Sequence, residues 1–318
     1  MKTRREFLSD SVALAAGSML LPALATASAS RPAVGFPTNP RDRIAVASYP
    51  FRDFIVPGEY VTPAAKNTPK MEITEFAAHM IERFHVNKIE PWSHHFRSLD
   101  QKYLDGFRAA LDRVNASVVD IAVDGEPSFY AAGAAERERA VAVNKQWIDA
   151  AATLGSPSIR THINGPNNQP PDLDRSVDTL KRIADYGASR NVVVHIENDD
   201  GVTEDPFFLV KLIDKVNSPW LRGLPDFGNS LMHLPPENAY AGLAAMFSHA
   251  YGICHVKGSE STDNGAVVSV DLAYAFGILK KSGYRGYLSM EYDDVGDPYR
   301  GTAQLIEQSL RFLSSPQT

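Results

Sequence analysis

The chain lacks the features that define several classes of protein. Cys254 is the only cysteine among 318 residues, so an intrachain disulfide and a zinc–thiolate cluster are both excluded. Basic residues are not in excess, because 32 Lys and Arg stand against 38 Asp and Glu, for a formal net charge of -6. That balance disfavours binding to a nucleic-acid backbone. The composition, 44% hydrophobic and 22% charged, is typical of globular proteins and excludes disordered, collagen-like and multi-span membrane proteins.

The first thirty residues have the pattern of a targeting segment. Arg4 and Arg5 precede a Phe-Leu pair, which resembles a bacterial twin-arginine (Tat) signal. The apolar stretch 12–24 is too short to span a bilayer well, and Ala-Ser-Ala at 27–29 fits a cleavage site. We therefore expect a cleavable Tat signal peptide over 1–29, with a fraying N-terminal helix as the alternative. The mature protein would then be periplasmic or secreted, without a stable membrane anchor, and its partner during export would be the Tat translocase.

From residue 43 onward, short β-branched runs alternate with amphipathic stretches. Eight strands, each followed by a helix, favour an α/β fold, a single (β/α)₈ TIM barrel over residues 30–318. A doubly wound sheet is the alternative, but residues 48–52, which end the first strand, contain no glycine for a phosphate-binding turn. The long connection 52–70 is expected to form a loop over the barrel mouth, where it can act as a lid. The predicted strands are 43–51, 88–92, 117–123, 158–163, 191–198, 222–227, 252–257 and 287–292.

Four polar residues end the last four predicted strands, about one strand–helix unit apart along the chain. They are Glu197, Asp226, His255 and Glu291. Active sites of TIM barrels lie at the carboxyl ends of the strands, and the alternation of side chains along a strand can point all four inward. Three converging carboxylates would repel one another unless a cation neutralised them. An oxygen-rich set with one nitrogen best suits Mn²⁺ or Mg²⁺, with Co²⁺ or Zn²⁺ as alternatives.

The strand ends resemble those of a known family. His195-Ile196-Glu197-Asn198, Pro225-Asp226-Phe227, His255-Val256-Lys257 and Met290-Glu291-Tyr292 are similar to the xylose isomerase-like TIM barrels, the sugar phosphate isomerase/epimerase group. The resemblance covers nearly all of the mature chain. It implies that the Glu, Asp, His and Glu at these positions hold one divalent metal. It also implies that a substrate carbonyl and hydroxyl chelate this metal, which stabilises the enediolate formed when a carbon-bound proton leaves.

The resemblance and the strand pattern together suggest roles for further residues of the site. By resemblance, Glu197 and Glu291 are the two bases as well as metal ligands. Lys257 shares strand parity with His255 and is expected near the metal, where it can stabilise the enediolate. His195 is expected to be a hydrogen-bonded core residue below Glu197. The expected substrate-binding residues are Tyr49, Trp92, His94, Arg160, His162 and Asn229.

Two departures from the family pattern leave the substrate open. Ketose 3-epimerases carry a His where this chain has Asn229, and an Arg shortly after the metal-binding His, where 257–263 contain none. The additional histidines of the endonuclease IV branch are also absent, which argues against DNA repair. The expected function is therefore an isomerase or epimerase of an unphosphorylated ketose or related carbohydrate. The alternatives are a metal-dependent lyase or hydrolase of an oxidised sugar or glycoside, and a non-catalytic sugar-binding barrel; a homo-oligomer is compatible with any of these.

Overall fold

A computed structural model of the protein describes residues 31–57, 70–165, 170–261 and 267–315. The expected signal peptide over 1–29 lies outside the described residues, as does most of the connection 52–70 that is expected to form a loop over the barrel mouth. The two ends of that connection pair as short parallel strands, Ile55–Val56 and Met71–Glu72. Within the described residues, no helix combines the length and the apolar character that crossing a membrane requires.

Eight parallel strands confirm the expected barrel, and they are shorter than predicted. Two sheets form it, β3-β2-β1-β8-β7 and β4-β5-β6. Single parallel bridges, Ala122 to Arg160 and Asp226 to His255, join the two sheets. The strands are β1 (Ile44–Ala47), β2 (Lys88–Glu90), β3 (Ser117–Val118), β4 (Ser158–Thr161), β5 (Val193–Glu197), β6 (Leu221–Leu224), β7 (Ile253–Val256) and β8 (Tyr287–Met290).

The difference in strand length arises at the carboxyl ends, where the chain turns away to build the mouth of the barrel. The first strand was predicted to reach residue 51, but it ends at Ala47, and Tyr49–Phe51 form a 3₁₀ turn. Pro50 in that turn has no N–H to continue a strand ladder. The turn brings Tyr49 to the mouth of the barrel.

A helix follows each strand and covers the outside of the barrel. Four helices begin at an Asp whose side chain accepts backbone N–H bonds of the first turn: Asp172, Asp205, Asp271 and Asp297. The apolar face of the first helix is buried against the sheet. The helices are α1 (Ile73–Phe84), α2 (Gln101–Arg113), α3 (Ala134–Leu154), α4 (Leu173–Arg190), α5 (Pro206–Val216), α6 (Pro236–His249), α7 (Leu272–Lys281) and α8 (Pro298–Ser314).

The hydrophobic core has two parts of unequal size. The larger part fills the layer between strands and helices. The smaller is a buried apolar cluster of Ala45, Val119, Leu224 and Ile253. Several buried side chains of the strands and of the residues that follow them are polar, among them Glu90, Asp120, His195 and His255. Burial of such groups is costly unless they are paired. Asp120 pairs with His195, and Glu90 pairs with His255 at the carboxyl ends of the strands.

Candidate metal centre and substrate cavity

The four predicted ligands meet at the carboxyl ends of the strands. Glu197 ends β5, Asp226 follows β6 by two residues, His255 lies in β7 and Glu291 directly follows β8. Each offers a ligand atom within 4.8 Å of those of the others. All four residues are at most 6% exposed. The structure therefore places these residues together in a buried group that can surround one cation.

The imidazole of His255 lies at the centre of the three carboxylates. Its Nδ1 is 2.7 Å from Glu197 Oε1, 3.1 Å from Glu291 Oε2 and 4.0 Å from Asp226 Oδ2. Burial lowers the pKa of His255, but Glu197, Glu291 and Glu90 outweigh burial and raise it well above its usual value. The carboxylates thus require positive charge at their centre, and an imidazolium or a divalent cation satisfies that requirement.

One oxygen of Asp226 is the feature that best fits a metal ion. Oδ1 accepts hydrogen bonds from the backbone N–H groups of Gly228, at 2.7 Å, and Asn229, at 2.6 Å. Oδ2 is buried and has no hydrogen-bond partner among the described residues. Burial raises the pKa of this carboxyl to about 7. A buried carboxylate oxygen without a donor is costly, and coordination of a cation would remove that cost.

Glu90 orients the imidazole of His255, and the sequence analysis did not identify it as a site residue. Its two carboxylate oxygens lie 2.8 and 3.0 Å from His255 Nε2. Nε2 therefore carries a proton for Glu90, which leaves Nδ1 facing the carboxylates. Histidine ligands of metals are commonly held by a carboxylate in this way. The available signal was the position of Glu90 at the end of β2, on the rim where the four ligands end their strands.

Lys257 lies beside the four ligands, as the sequence predicted. Its Nζ donates to Asn229 Oδ1 at 2.7 Å and Glu260 Oε2 at 2.9 Å, and it lies 3.2 Å from Glu291 Oε2. Burial lowers the pKa of Lys257, but Asp226, Glu291 and Glu260 outweigh burial and raise it well above its usual value. Lys257 is therefore a charged hydrogen-bond donor next to Glu291.

Arg160 and His162 both point into the mouth and both contact Asp124. Arg160 pairs with Asp124, and its Nε lies 3.0 Å from Glu197 Oε2. His162 lies between Asp124 and Glu204, with one ring nitrogen 2.9 Å from each carboxylate. Asp124 and Glu204 lie on loops after β3 and β5. Asp124 directly follows the strand predicted over 117–123, which was an available signal, whereas no strand pattern marked Glu204. His195 is fully buried and 3.1 Å from Asp120 Oδ1, in the core position that the sequence predicted.

A cavity of about 180 Å³ opens above the four ligands. Its volume is smaller than the roughly 300–1,000 Å³ typical of pockets for drug-sized ligands. Four of the six expected substrate-binding residues line it, and nearly every other lining residue is charged. The described wall consists of Tyr49, Asp124, Arg160, His162, Glu197, Asp199, Asn229, Lys257, Glu260, Glu291 and Asp293.

The other two expected substrate-binding residues, Trp92 and His94, lie next to the cavity and are not part of its described wall. The Trp92 ring meets Tyr49 edge-on, with ring centroids 5.1 Å apart, and its Nε1 donates to Asp124 Oδ2 at 2.5 Å. His94 stacks on Trp92 at 4.4 Å. Trp92 thus supports two residues of the wall, Tyr49 and Asp124.

The raised pKa of Asp226 gives a stability test of the centre. Because the folded pKa of about 7 lies above the ordinary value of 3.8, the Asp226 contribution to stability falls as pH rises across that interval. After dialysis against EDTA, Asp226→Asn should melt a few degrees above the wild type at pH 8, with the difference vanishing near pH 4. Saturating Mn²⁺ should reverse the order at pH 8, because only the wild type gains binding energy. Scanning calorimetry measures these melting temperatures. If Mn²⁺ raised the melting temperatures of the wild type and Asp226→Asn equally, the assignment of Asp226 as a metal ligand would be contradicted.

Comparison with known proteins identifies the same fold. The family model described as Xylose isomerase-like TIM barrel matches residues 75–315, which is more than half of the chain. No curated protein matches the chain in sequence.

Several solved structures are similar. A xylose isomerase-like TIM barrel protein from Mycobacterium smegmatis, in complex with magnesium, has a TM-score of 0.64 at 17% identity, covering 87% of this chain and 98% of its own. D-allulose 3-epimerase from Methylomonas sp. has a TM-score of 0.64 at 16% identity, covering 88% and 100%. 3-Keto-D-glucoside 4-epimerase from E. coli has a TM-score of 0.60 at 16% identity, covering 85% and 98%. The TM-scores show a shared fold. The family match shows that this chain belongs to the xylose isomerase-like TIM barrel family.

Proposed function

We propose that the protein is a divalent-metal-dependent isomerase or epimerase of an unphosphorylated ketose or related carbohydrate. The observation that carries the proposal is the convergence of Glu197, Asp226, His255 and Glu291 below a small, highly polar cavity. A cavity with so little apolar wall suits a ligand that offers a hydroxyl at most of its carbon atoms. The epimerases of D-allulose and of a 3-keto-D-glucoside that share the fold support the same reaction class.

The four converging residues would hold the metal. Three carboxylates and one imidazole form an oxygen-rich set, which favours Mn²⁺, with Mg²⁺, Co²⁺ and Zn²⁺ as alternatives. When bound, a divalent cation supplies Lewis-acid polarisation of the substrate carbonyl. Glu90 keeps the His255 ring in the orientation that such a site needs.

Glu197 and Glu291 are the proposed proton carriers, with Lys257 beside them. One carboxylate removes the proton from the carbon next to the carbonyl and becomes a carboxylic acid. The other, which has taken up a proton from water beforehand, returns that proton to the opposite face of the same carbon and becomes a carboxylate. Exchange with water then resets both groups. The Lys257 ammonium, 3.2 Å from Glu291 Oε2, would donate a hydrogen bond to the substrate oxygen as negative charge develops there. Tyr49, Asn229 and the polar groups of the wall would bind the remaining hydroxyls.

The charge of the wall supports an unphosphorylated substrate. Arg160 is paired with Asp124 and Glu197. Lys257 is paired with Glu260 and Glu291, and His162 with two carboxylates of its own. Each cation of the described wall is thus already paired with a carboxylate. Asp199 adds negative charge at the cavity, while Asp293 is paired with Arg52. A phosphate group would meet repulsion there.

A metal-dependent lyase or hydrolase of an oxidised sugar or glycoside is the second candidate. The close Lys257–Glu291 pair favours it, because elimination needs a base and an acid near neighbouring substrate atoms. A neighbour in fold takes a 3-keto-D-glucoside, an oxidised glycoside, as its named substrate. Isomerisation leaves the mass of the sugar unchanged, whereas elimination or hydrolysis changes it.

Solvent exchange tests the isomerase proposal. The Mn²⁺-loaded protein should convert D-allulose, D-fructose or a related ketose in D₂O with deuterium entering the carbon next to the carbonyl. Glu197→Gln and Glu291→Gln should each slow conversion by about 10²-fold or more, whereas the control Glu126→Gln, at a buried carboxyl outside the cavity wall, should not. Mass spectrometry and NMR report both quantities. Product without deuterium, or no product and no exchange with any ketose, would contradict the proposal; a product of altered mass would favour the second candidate.

We also propose that residues 1–29 direct export through the Tat pathway, so that the mature enzyme works in the periplasm or outside the cell. The basis is the Arg4–Arg5 pair with its following apolar stretch. Replacing both arginines by lysine should leave the precursor in the cytoplasm of a Tat-competent bacterium, as should deletion of the translocase. The Lys2→Gln variant, which keeps the pair, should still be exported. Cell fractionation measures this, and periplasmic recovery of the double-lysine variant would overturn the proposal.

A further inference from the structure

Four side chains form a continuous polar network that ends on the metal-centre residue Glu197. In order, they are Glu204, His162, Asp124 and Arg160. Glu204 and Arg160 are 3% and 5% exposed, so most of the network is withdrawn from water. The sequence had suggested substrate contact for Arg160 and His162, and the structure pairs each of them with two carboxylates.

Glu204 fixes His162 at the outer end of the network. Both carboxylate oxygens of Glu204 lie 2.9 Å from His162 Nδ1. Glu204 is itself held, because the backbone N–H of Ile163 donates to Oε1 at 2.8 Å. Burial and Arg160 lower the pKa of His162, but Glu204 and Asp124 outweigh them and raise it well above its usual value. The ring is therefore a cation with a hydrogen bond at each nitrogen.

Asp124 contacts three donor groups and connects His162 to Arg160. His162 Nε2 lies 2.9 Å from Oδ1, Arg160 also donates to Oδ1, and Trp92 Nε1 donates to Oδ2 at 2.5 Å. Burial raises the pKa of Asp124, but Arg160 and His162 outweigh burial and hold it well below its usual value. Asp124 is thus a carboxylate anion with almost no freedom to rotate.

Arg160 connects this anion to Glu197. Its terminal nitrogen donates to Asp124 and to the backbone oxygen of Val123, the latter at 3.1 Å. Its Nε lies 3.0 Å from Glu197 Oε2. This contact is an ion pair, because Nε has no hydrogen-bond partner among the described residues. With Oε2 beside the guanidinium, the other oxygen of Glu197 lies 2.7 Å from His255 Nδ1. The planar guanidinium contacts both carboxylates at once, which a lysine ammonium cannot reproduce.

We propose that Glu204, His162, Asp124 and Arg160 are positioning residues that hold Glu197 in its ligand orientation and so set the affinity of the metal centre. The inference rests on the proposed metal-dependent function and deepens it. The network serves the first centre rather than a second one. His162, Asp199 and Glu204 lie close enough to form another group of ligand atoms, but the Asp199 side chain is 48% exposed, whereas all four ligands of the first centre are buried.

Metal affinity measures the effect of the network without any substrate. We expect Asp124→Asn and Glu204→Gln each to weaken Mn²⁺ binding by about 10–100-fold, the usual effect of removing a partner of a metal ligand. The matched control is Glu126→Gln, which makes the same chemical change at a buried carboxyl. Glu126 accepts hydrogen bonds from the Thr161 hydroxyl and the backbone N–H of His162, and its charge acts on the His162 ring only through space. The Mn²⁺ affinity of this variant should therefore stay near the wild-type value. Titration calorimetry gives the dissociation constants.

A spectroscopic readout separates positioning from loss of fold. The Co²⁺-loaded variants should show altered visible absorption bands, because the bands report coordination, while their melting temperatures without metal stay near the wild-type value. If either variant does not fold, Arg160→Lys replaces it, since it keeps the charge and loses one of the two contacts. Wild-type Mn²⁺ affinity and an unchanged Co²⁺ spectrum in the folded variants would overturn the inference alone. A wild type that binds neither metal would overturn the proposed function, and the inference with it.

Discussion

Three buried carboxylates share one small volume with the Nδ1 atom of His255, and the rest of the site is organised around that fact. Each carboxylate has an oxygen 2.7 to 4.0 Å from that Nδ1, and unpaired negative charges gathered so closely in a poorly solvated interior repel strongly. Cationic side chains of the protein neutralise part of this negative charge. Arg160 lies beside Glu197 and Lys257 beside Glu291. The Lys257 ammonium is 3.9 Å from Asp226 Oδ2, and this oxygen has no hydrogen-bond donor among the described residues, so it is the place where a metal ion would add most.

Three of the four ligands have one part of the group bonded to or paired with the protein and the rest turned to the common centre. His255 gives Nε2 to Glu90. Asp226 gives Oδ1 to two backbone amides, and Glu197 gives Oε2 to Arg160. Groups fixed in this way lose little further freedom when they bind a cation, which favours binding over flexible carboxylates. Burying so many charges costs stability, and the apolar layer between strands and helices offsets that cost.

The sequence predicted the barrel and the four central residues because both depend on regular patterns. Strand–helix alternation sets the fold, and the carboxyl ends of parallel strands meet at one rim whatever the loops do. Glu90, Asp124 and Glu204 were not identified as site residues. Asp124 and Glu204 lie on loops, whose paths depend on contacts distant in sequence, such as the one between Asp124 and Arg160. The same limit explains why Trp92 was expected in the cavity wall. Its position behind Tyr49 depends on a 3₁₀ turn that forms where a longer strand was expected.

The most direct test of the account is a crystal structure of the mature protein grown with Mn²⁺ and measured for anomalous scattering. The account predicts one strong peak at about 2.0–2.2 Å, the usual metal–ligand distance, from Glu197, Asp226, His255 Nδ1 and Glu291. His255 Nε2 should still contact Glu90, and Arg160 should still contact Glu197. An absence of any peak at this centre, or a peak at His162, Asp199 and Glu204 instead, would contradict the account.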